Sequence, residues 1–321
     1  YTGNGSTQTI TNGIDLAGEG GLVWLKYRGG GNNPAGHYLY TPELPGSGGG
    51  YYYKHLQTNS TSAAGEGYNA LTAFNSNGFS LGGNTEINYG NDYYASWTFR
   101  KAEKFFDVVT YTGTGSARTV AHNLGSTPGV IICKDLTNAN NWCVYHRSLG
   151  ATKGLYLNST TQELTSSNFW NDTSPTSTEF TLGPGGALNG SGSSYVAYLF
   201  AHDAGGFGDS GEENVISCGS FTTDGSGNAT VDLGWEPQWT MIKRTNSTGP
   251  WNMYDNMRGW SNGGDDQYLQ ANSSAAEDTF NIGHPTATEM YLAGNSASSD
   301  YIYIAIRRGP MKTPESGTEV F

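Results

Sequence analysis

Tyr1-Thr-Gly-Asn-Gly-Ser6, Tyr111-Thr-Gly-Thr-Gly-Ser116 and Phe221-Thr-Thr-Asp-Gly-Ser226 recur at a spacing of 110 residues. A fixed period of this length marks a chain that writes one unit several times. Four further landmarks follow in the same order in each copy. Leu22-Val-Trp-Leu-Lys26, Val130-Ile-Ile-Cys-Lys134 and Trp239-Thr-Met-Ile-Lys243 share one slot. Leu56-Gln-Thr-Asn59-Ser60, Leu155-Tyr-Leu-Asn158-Ser159 and Leu269-Gln-Ala-Asn272-Ser273 share the next. Phe79-Ser-Leu81, Phe180-Thr-Leu182 and Met290-Tyr-Leu292 follow, and Tyr94–Phe99, Tyr195–Phe200 and Tyr301–Ile306 close each unit. The expected boundaries are 1–104, 105–213 and 214–321.

The second copy shows what each unit folds into. Phe105–Tyr111 alternates as a half-buried strand does, and a Gly-rich turn follows it. Val130–Lys134 is a continuous apolar run suited to a strand covered on both faces. Short strands are expected again at Trp142–His146, Leu155–Leu157, Glu179–Leu182 and Tyr195–Phe200, separated by Gly, Pro and Ser clusters. No stretch holds a sustained 3.6-residue apolar period. The expected fold is all-β, three tandem antiparallel sandwiches of jelly-roll type. Short junctions predict that the units pack in a fixed row.

Composition narrows the function. Charged residues make up 14% of the chain, against about 25% in an average globular protein. Forty-seven glycines and 13% aromatics take up the difference. This suits a polar, turn-rich extracellular or virion protein and not a disordered one. The net charge is −12 with scattered Lys and Arg, so nucleic acid is not an expected partner. No apolar run approaches the roughly 18 residues of a membrane-spanning helix, so no membrane partner is expected.

The chemistry-bearing residues are sparse. The histidines at 37, 55, 122, 146, 202 and 284 form no H-x-H or H-x-x-x-H pair, and the three cysteines lack zinc spacing; no cofactor or metal is expected. Cys133 falls in the slot of Leu25 and Ile242 and reads as a small core residue, although Cys133 and Cys143 could face each other across a hairpin. Asp224-Gly-Ser-Gly-Asn228 has the oxygens of a calcium-loop start but no distal Glu, and equally describes a Gly-rich turn. Acidic pairs at Glu212-Glu213 and Asp265-Asp266 read as solvated turns, so catalysis by two facing carboxylates is not expected and the chain is read as a non-enzyme. Asn59, Asn158 and Asn272 begin sequons in one slot, which shared repeat ancestry explains.

Tyr111-Thr-Gly-Thr-Gly-Ser-Ala-Arg-Thr-Val-Ala-His-Asn-Leu-Gly-Ser-Thr-Pro-Gly-Val-Ile-Ile-Cys-Lys134, followed by Trp142-Cys-Val-Tyr-His-Arg-Ser-Leu-Gly150, resembles repeats in virion structural and tail-associated proteins of marine bacteriophages, the cyanophages among them. The resemblance spans the whole chain. It implies a structural or host-contact role in a tail, fibre or related filament, and it carries no set of catalytic residues.

Two sets of residues are candidates for that role. A host glycan would stack on aromatics set among Asn and Gly, which selects Tyr51, Tyr52, Tyr53, Trp142, Trp251 and Trp260. Trp142 and Trp251 share a slot, which favours a core or hairpin-packing role for that pair. For assembly, the first unit lacks the leading strand that Phe106–Thr110 and Val215–Ser220 give the others. A vacancy is therefore expected beside Tyr1–Ile10, filled from upstream or by another subunit. The extended tail with Thr313, Glu319, Val320 and Phe321 is a candidate donor strand from a neighbouring copy, giving self-association or contact with other virion proteins.

Overall fold

In the computed structural model, which describes residues 1–30 and 35–309, the chain is mostly β, with antiparallel pairing throughout the described strands. Among the described residues helix is confined to single turns at Thr85–Asn88, Ser167–Trp170, Gly186–Asn189 and the 3-10 turn Asn256–Arg258. That follows from the missing 3.6-residue period.

Each consecutive third of the chain supplies one large and one small sheet. The first large sheet runs, in spatial order, Gly65–Glu66, Tyr51–Gln57, His37–Gly48, Gly21–Gly29 and Tyr93–Arg100. The second runs Leu164–Thr165, Lys153–Tyr156, Cys143–His146, Val130–Asp135, Ser194–Phe200 and Phe106–Thr112. The third runs Asp278–Phe280, Asp266–Gln270, Trp251–Asp255, Pro237–Arg244, Asp300–Arg307 and Ile216–Thr222. The smaller sheets join Gln8–Thr11, Gly78–Leu81 and Leu71–Asn75 in the first third, and Arg118–Ala121 with Glu179–Leu182 in the second. In the last they join Ala229–Asp232, Glu289–Leu292 and Gly283–Pro285.

The central strand of each large sheet is a run of buried residues because both its faces are covered. Val23, Leu25 and Tyr27 pack toward the small sheet with Phe79 and Leu81. Their neighbours Leu22 and Trp24 belong to a core shared with the other two thirds. Alternation thus sends successive residues into two different interiors. In the shared core Phe99 lies 5.6 Å from Phe200 and 5.7 Å from Trp239, ring centre to ring centre, so all three thirds meet around one aromatic cluster. The expected row is corrected here. Strands buried on both faces in all three thirds need a common interior, and a row would leave two of those faces open.

The repeated loop of the opening motif has a local cause. Buried Asn88 donates to the carbonyls of Ser6 and Gly82 and accepts from the Asn4 amide; Asn189 donates to Ser116 and Gly183 and accepts from the Thr114 amide. Wrapping the loop this tightly demands glycine. A Cβ at Gly3 would lie 2.0 Å from the Tyr89 carbonyl oxygen and one at Gly113 2.2 Å from that of Gly190. Thr223 takes the equivalent place in the last copy, and its hydroxyl donates to the Ser296 carbonyl at 2.6 Å. The motif's first aromatic stacks in the same way each time. Tyr1 on Tyr94, Tyr111 on Tyr195 and Phe221 on Tyr301 all have ring centres 5.1 Å apart.

Leu25, Cys133 and Ile242 are fully buried, as their shared slot predicts, and Phe99 and Phe200 are buried too. Ile306 is half-buried, packed against the rim of the shared core. Cys133 and Cys143 are direct cross-strand partners, and both are free buried thiols.

Candidate functional site

The three aligned lysines are wholly buried, and each ends on a carbonyl of another third. Lys26 Nζ donates to Ser274 O at 2.9 Å, Lys134 Nζ to Thr61 O at 3.2 Å and Lys243 Nζ to Thr160 O at 3.3 Å. The first therefore reaches the third, the second the first, and the third the second. A buried ammonium is tolerable only when its donors find acceptors, and a nearer carbonyl adds a second to each: Ala35, Asp135 and Arg244.

A second set repeats the cycle one strand away. Trp142 Nε1 donates to Gln57 O at 2.9 Å and Trp251 Nε1 to Tyr156 O at 2.9 Å. His37 occupies the same slot in the first third, with Nε2 2.9 Å from Gln270 O. Its Nδ1 accepts from Trp24 Nε1 at 2.8 Å, which puts the ring proton on Nε2 and makes it the donor. Burial holds the His37 imidazole well below the usual histidine range, and Lys26 adds to that, so the ring is neutral.

Main-chain bonds complete a third cycle. Ala64 donates to Leu136 O, Glu163 to Thr245 O and Glu277 to Arg28 O, at 3.1, 3.0 and 2.9 Å. The seams close on themselves as a ring. The sequon asparagines support them from behind: Asn59, Asn158 and Asn272 accept the amides of His37, Trp142 and Trp251 at 2.8, 2.8 and 2.7 Å. Structure, not glycosylation chemistry, accounts for their shared slot.

The seam between the third and first segments carries an added ionic lock. Arg258 Nε donates to Asp255 Oδ2 at 2.6 Å and its NH1 to Glu277 Oε1 at 2.9 Å. Arg28 binds the other oxygen of Glu277 at 2.8 Å, and Trp97 Nε1 donates to Asp255 at 2.9 Å. The Arg258 guanidinium also sits 5.3 Å from the Trp97 ring centre.

Burial brings Lys26, Lys134 and Lys243 down from the ordinary 10.5 to about 8 each. Between those values the unfolded chain binds more protons than the folded one, so stability rises with pH. Unfolding midpoints in urea should be higher at pH 9 than at pH 7, by on the order of 1 kcal/mol per lysine. Above about pH 9 the unfolded cysteines ionise while burial holds the folded thiols protonated, which opposes the rise. Lys134→Met should flatten the rise by about a third; an unchanged rise in that variant contradicts the assignment.

The sequence-selected aromatics divide sharply. Trp142, Trp251 and Trp260 are 0–2% exposed, which corrects their selection as sugar platforms. Trp142 and Trp251 belong to the seams, and Trp260 packs on Tyr254 in the interior of the third segment. Tyr51 and Tyr52 stay on the surface, 36% and 48% exposed, where the turn Gly48-Gly-Gly50 joins two strands. Tyr53 turns inward against Phe74 at 4.7 Å. Tyr68, which the sequence did not single out, is 61% exposed and meets Tyr51 edge-on at 5.5 Å. It rests over Gly50, where any side chain would collide with its ring. Below this hairpin a cleft of about 420 Å³ runs between Glu43, Pro45 and Lys54 on one side and Thr110, Thr112 and Tyr195 on the other.

Other readings resolve locally. The Asp224 carboxylate accepts the amides of Ser226 and Asn228, so Asp224–Asn228 is an Asx turn. Among the described residues no cluster of metal-ligating side chains occurs. His146 and His122 point at the carbonyls of Tyr303 and Thr176.

Tyr1 and Thr2 pair with Tyr94 and Tyr93, and Gln8–Thr11 pairs with Gly78–Leu81 at the edge of the small sheet. Thr313, Glu319, Val320 and Phe321 lie outside the described residues. Among curated proteins none matches the chain. A family model described as Domain of unknown function (DUF7483) matches residues 1–310, and the chain belongs to that family.

Proposed function

We propose that the chain is a non-enzymatic structural protein of a virion appendage, such as a tail or fibre, or of a related extracellular filament. In this reading 1–104, 105–213 and 214–321 are three tandem jelly-roll-like sandwich modules locked into one block. The observation that carries it is the use made of the reactive side chains. Three lysines, two tryptophans and a histidine end on backbone carbonyls of the neighbouring third, where they hold the block together. The resemblance to phage virion repeats points the same way. An antibody against the exposed Tyr51–Tyr52 hairpin should decorate the native particle at regular positions in electron micrographs. Recovery of the chain only as free protein, with unlabelled particles, overturns the proposal.

A second reading rests on the exposed group Tyr51, Tyr52 and Tyr68, whose ring faces suit stacking on host surface glycans. Loss of glycan-array signal in Tyr52→Ala supports it, and an unchanged signal removes it.

A further inference from the structure

The first segment departs from the threefold plan in one strand pair. His37–Gly48 runs for 12 residues, where its counterparts Cys143–His146 and Trp251–Asp255 run for 4 and 5. With Tyr51–Gln57 it makes a long hairpin that the seams do not require. Pleat alternation sorts the side chains of that hairpin onto two faces. Tyr53 turns to Phe74 and the small sheet, whereas Leu56 enters the core shared by the thirds. Lys54 and Tyr52 continue the row of Leu56, so both stand toward the second segment, about 7 Å apart along the strand. Tyr51 shares the face of Tyr53, where it meets Tyr68. The exposed tyrosines therefore serve opposite faces, and Tyr52 alone overlooks the cleft.

Across the cleft from Lys54 stands the end of the second large sheet. Thr110 and Thr112 alternate onto one face of their strand, and Ser194 is the cross-strand partner of Thr112. Thr137 accepts the Ser194 amide at 3.0 Å, which leaves its own proton to donate. The hydroxyls of Thr110, Thr112 and Ser194 have no partner among the described residues. The charges are also uneven. Glu43 is held by Lys101 at 3.2 Å and accepts from the Thr41 hydroxyl. Glu66, opposite Lys54 on the next strand, accepts from Ser47 at 2.7 Å. Among the described residues Lys54 has no ion pair, so its ammonium is the uncompensated charge of the cleft.

This is a specific combination of chemistry. Hydroxyls that both donate and accept match the hydroxyls of a sugar. An open aromatic ring offers a face for stacking. A single ammonium suits one carboxylate, whereas a phosphate site gathers several converging donors. The cleft volume of about 420 Å³ falls within the range of small-ligand sites. We propose that the cleft binds an acidic sugar, a uronic acid residue of a surface polysaccharide. Its carboxylate lies on Lys54, its hydroxyls on Thr110, Thr112, Thr137 and Ser194, and an adjoining ring stacks on Tyr52. This rests on the glycan reading above and narrows it to one face of the hairpin and one class of sugar.

Titration calorimetry of the full chain tests it, with tetramers of galacturonic, glucuronic and mannuronic acid, each beside its carboxyl-reduced neutral counterpart. At least one acid should bind about tenfold tighter than its neutral form. Lys54→Met should remove that preference and leave the neutral affinity unchanged, while Lys54→Arg should keep it. Thr112→Val should weaken both forms about fivefold, and Tyr68→Ala, on the opposite face, should leave the preference intact. A preference that survives Lys54→Met overturns the proposal. Neutral and acidic forms bound equally, with binding lost in Tyr52→Ala, overturn it but leave the glycan reading standing. Failure of every tetramer to bind overturns both.

Discussion

Phe200→Ala should destabilise the whole chain by about 3–5 kcal/mol, measured as the shift in a urea unfolding curve. Phe200 is 2% exposed, and its ring meets Phe106 at 4.9 Å and Phe99 at 5.6 Å. The first contact lies within its own sheet and the second crosses to another third. Removing the ring leaves a cavity at the point where the thirds converge, and rigid strand backbones on every side limit its collapse. The loss should therefore appear equally in probes of all three segments. A shift below about 1 kcal/mol, or one confined to probes in the second segment, contradicts the shared core.

Arg258→Met should cost a similar amount, about 3–5 kcal/mol, through charge and not volume. Methionine keeps most of the aliphatic stem but strands Asp255 and leaves Glu277 with Arg28 alone. Asp255 is 4% exposed, and an unpaired buried carboxylate is far more costly than the intact pair is stabilising. The effect should shrink when Asp255→Asn is added, since the amide needs no cation and its oxygen still accepts from Trp97. A single-variant loss under 1 kcal/mol would mean that the lock contributes nothing to closing the ring.

The repeated slots were legible in sequence because each is a side-chain requirement that recurs. Glycine is demanded at 3 and 113 by a carbonyl pressed against it, and an apolar residue at 25, 133 and 242 by burial. Lysine recurs at 26, 134 and 243 because each ammonium serves a seam. The ring itself was not legible. Its bonds end on backbone carbonyls of Ser274, Thr61 and Thr160, and a carbonyl leaves no mark on residue type. His37 also obscured the pattern, standing where Trp142 and Trp251 stand while making the same donor contact through a different ring. Trp142 and Trp251 stood as candidate platforms beside the core role their shared slot favoured, because their neighbours in sequence, Asn and Gly, belong to loops; the adjacent third covers them. Tyr68 escaped notice because its partner Tyr51 is 17 residues away and only the pairing of Tyr51–Gln57 with Gly65–Glu66 brings them together.

Scanning calorimetry of the intact chain tests the closed three-part block most directly. With the cores fused and the seams cyclic, the thirds should unfold together, giving one transition whose calorimetric enthalpy equals its van't Hoff enthalpy. Two or three resolved transitions, or a calorimetric enthalpy two to three times the van't Hoff value, would show the segments unfolding independently and contradict the account.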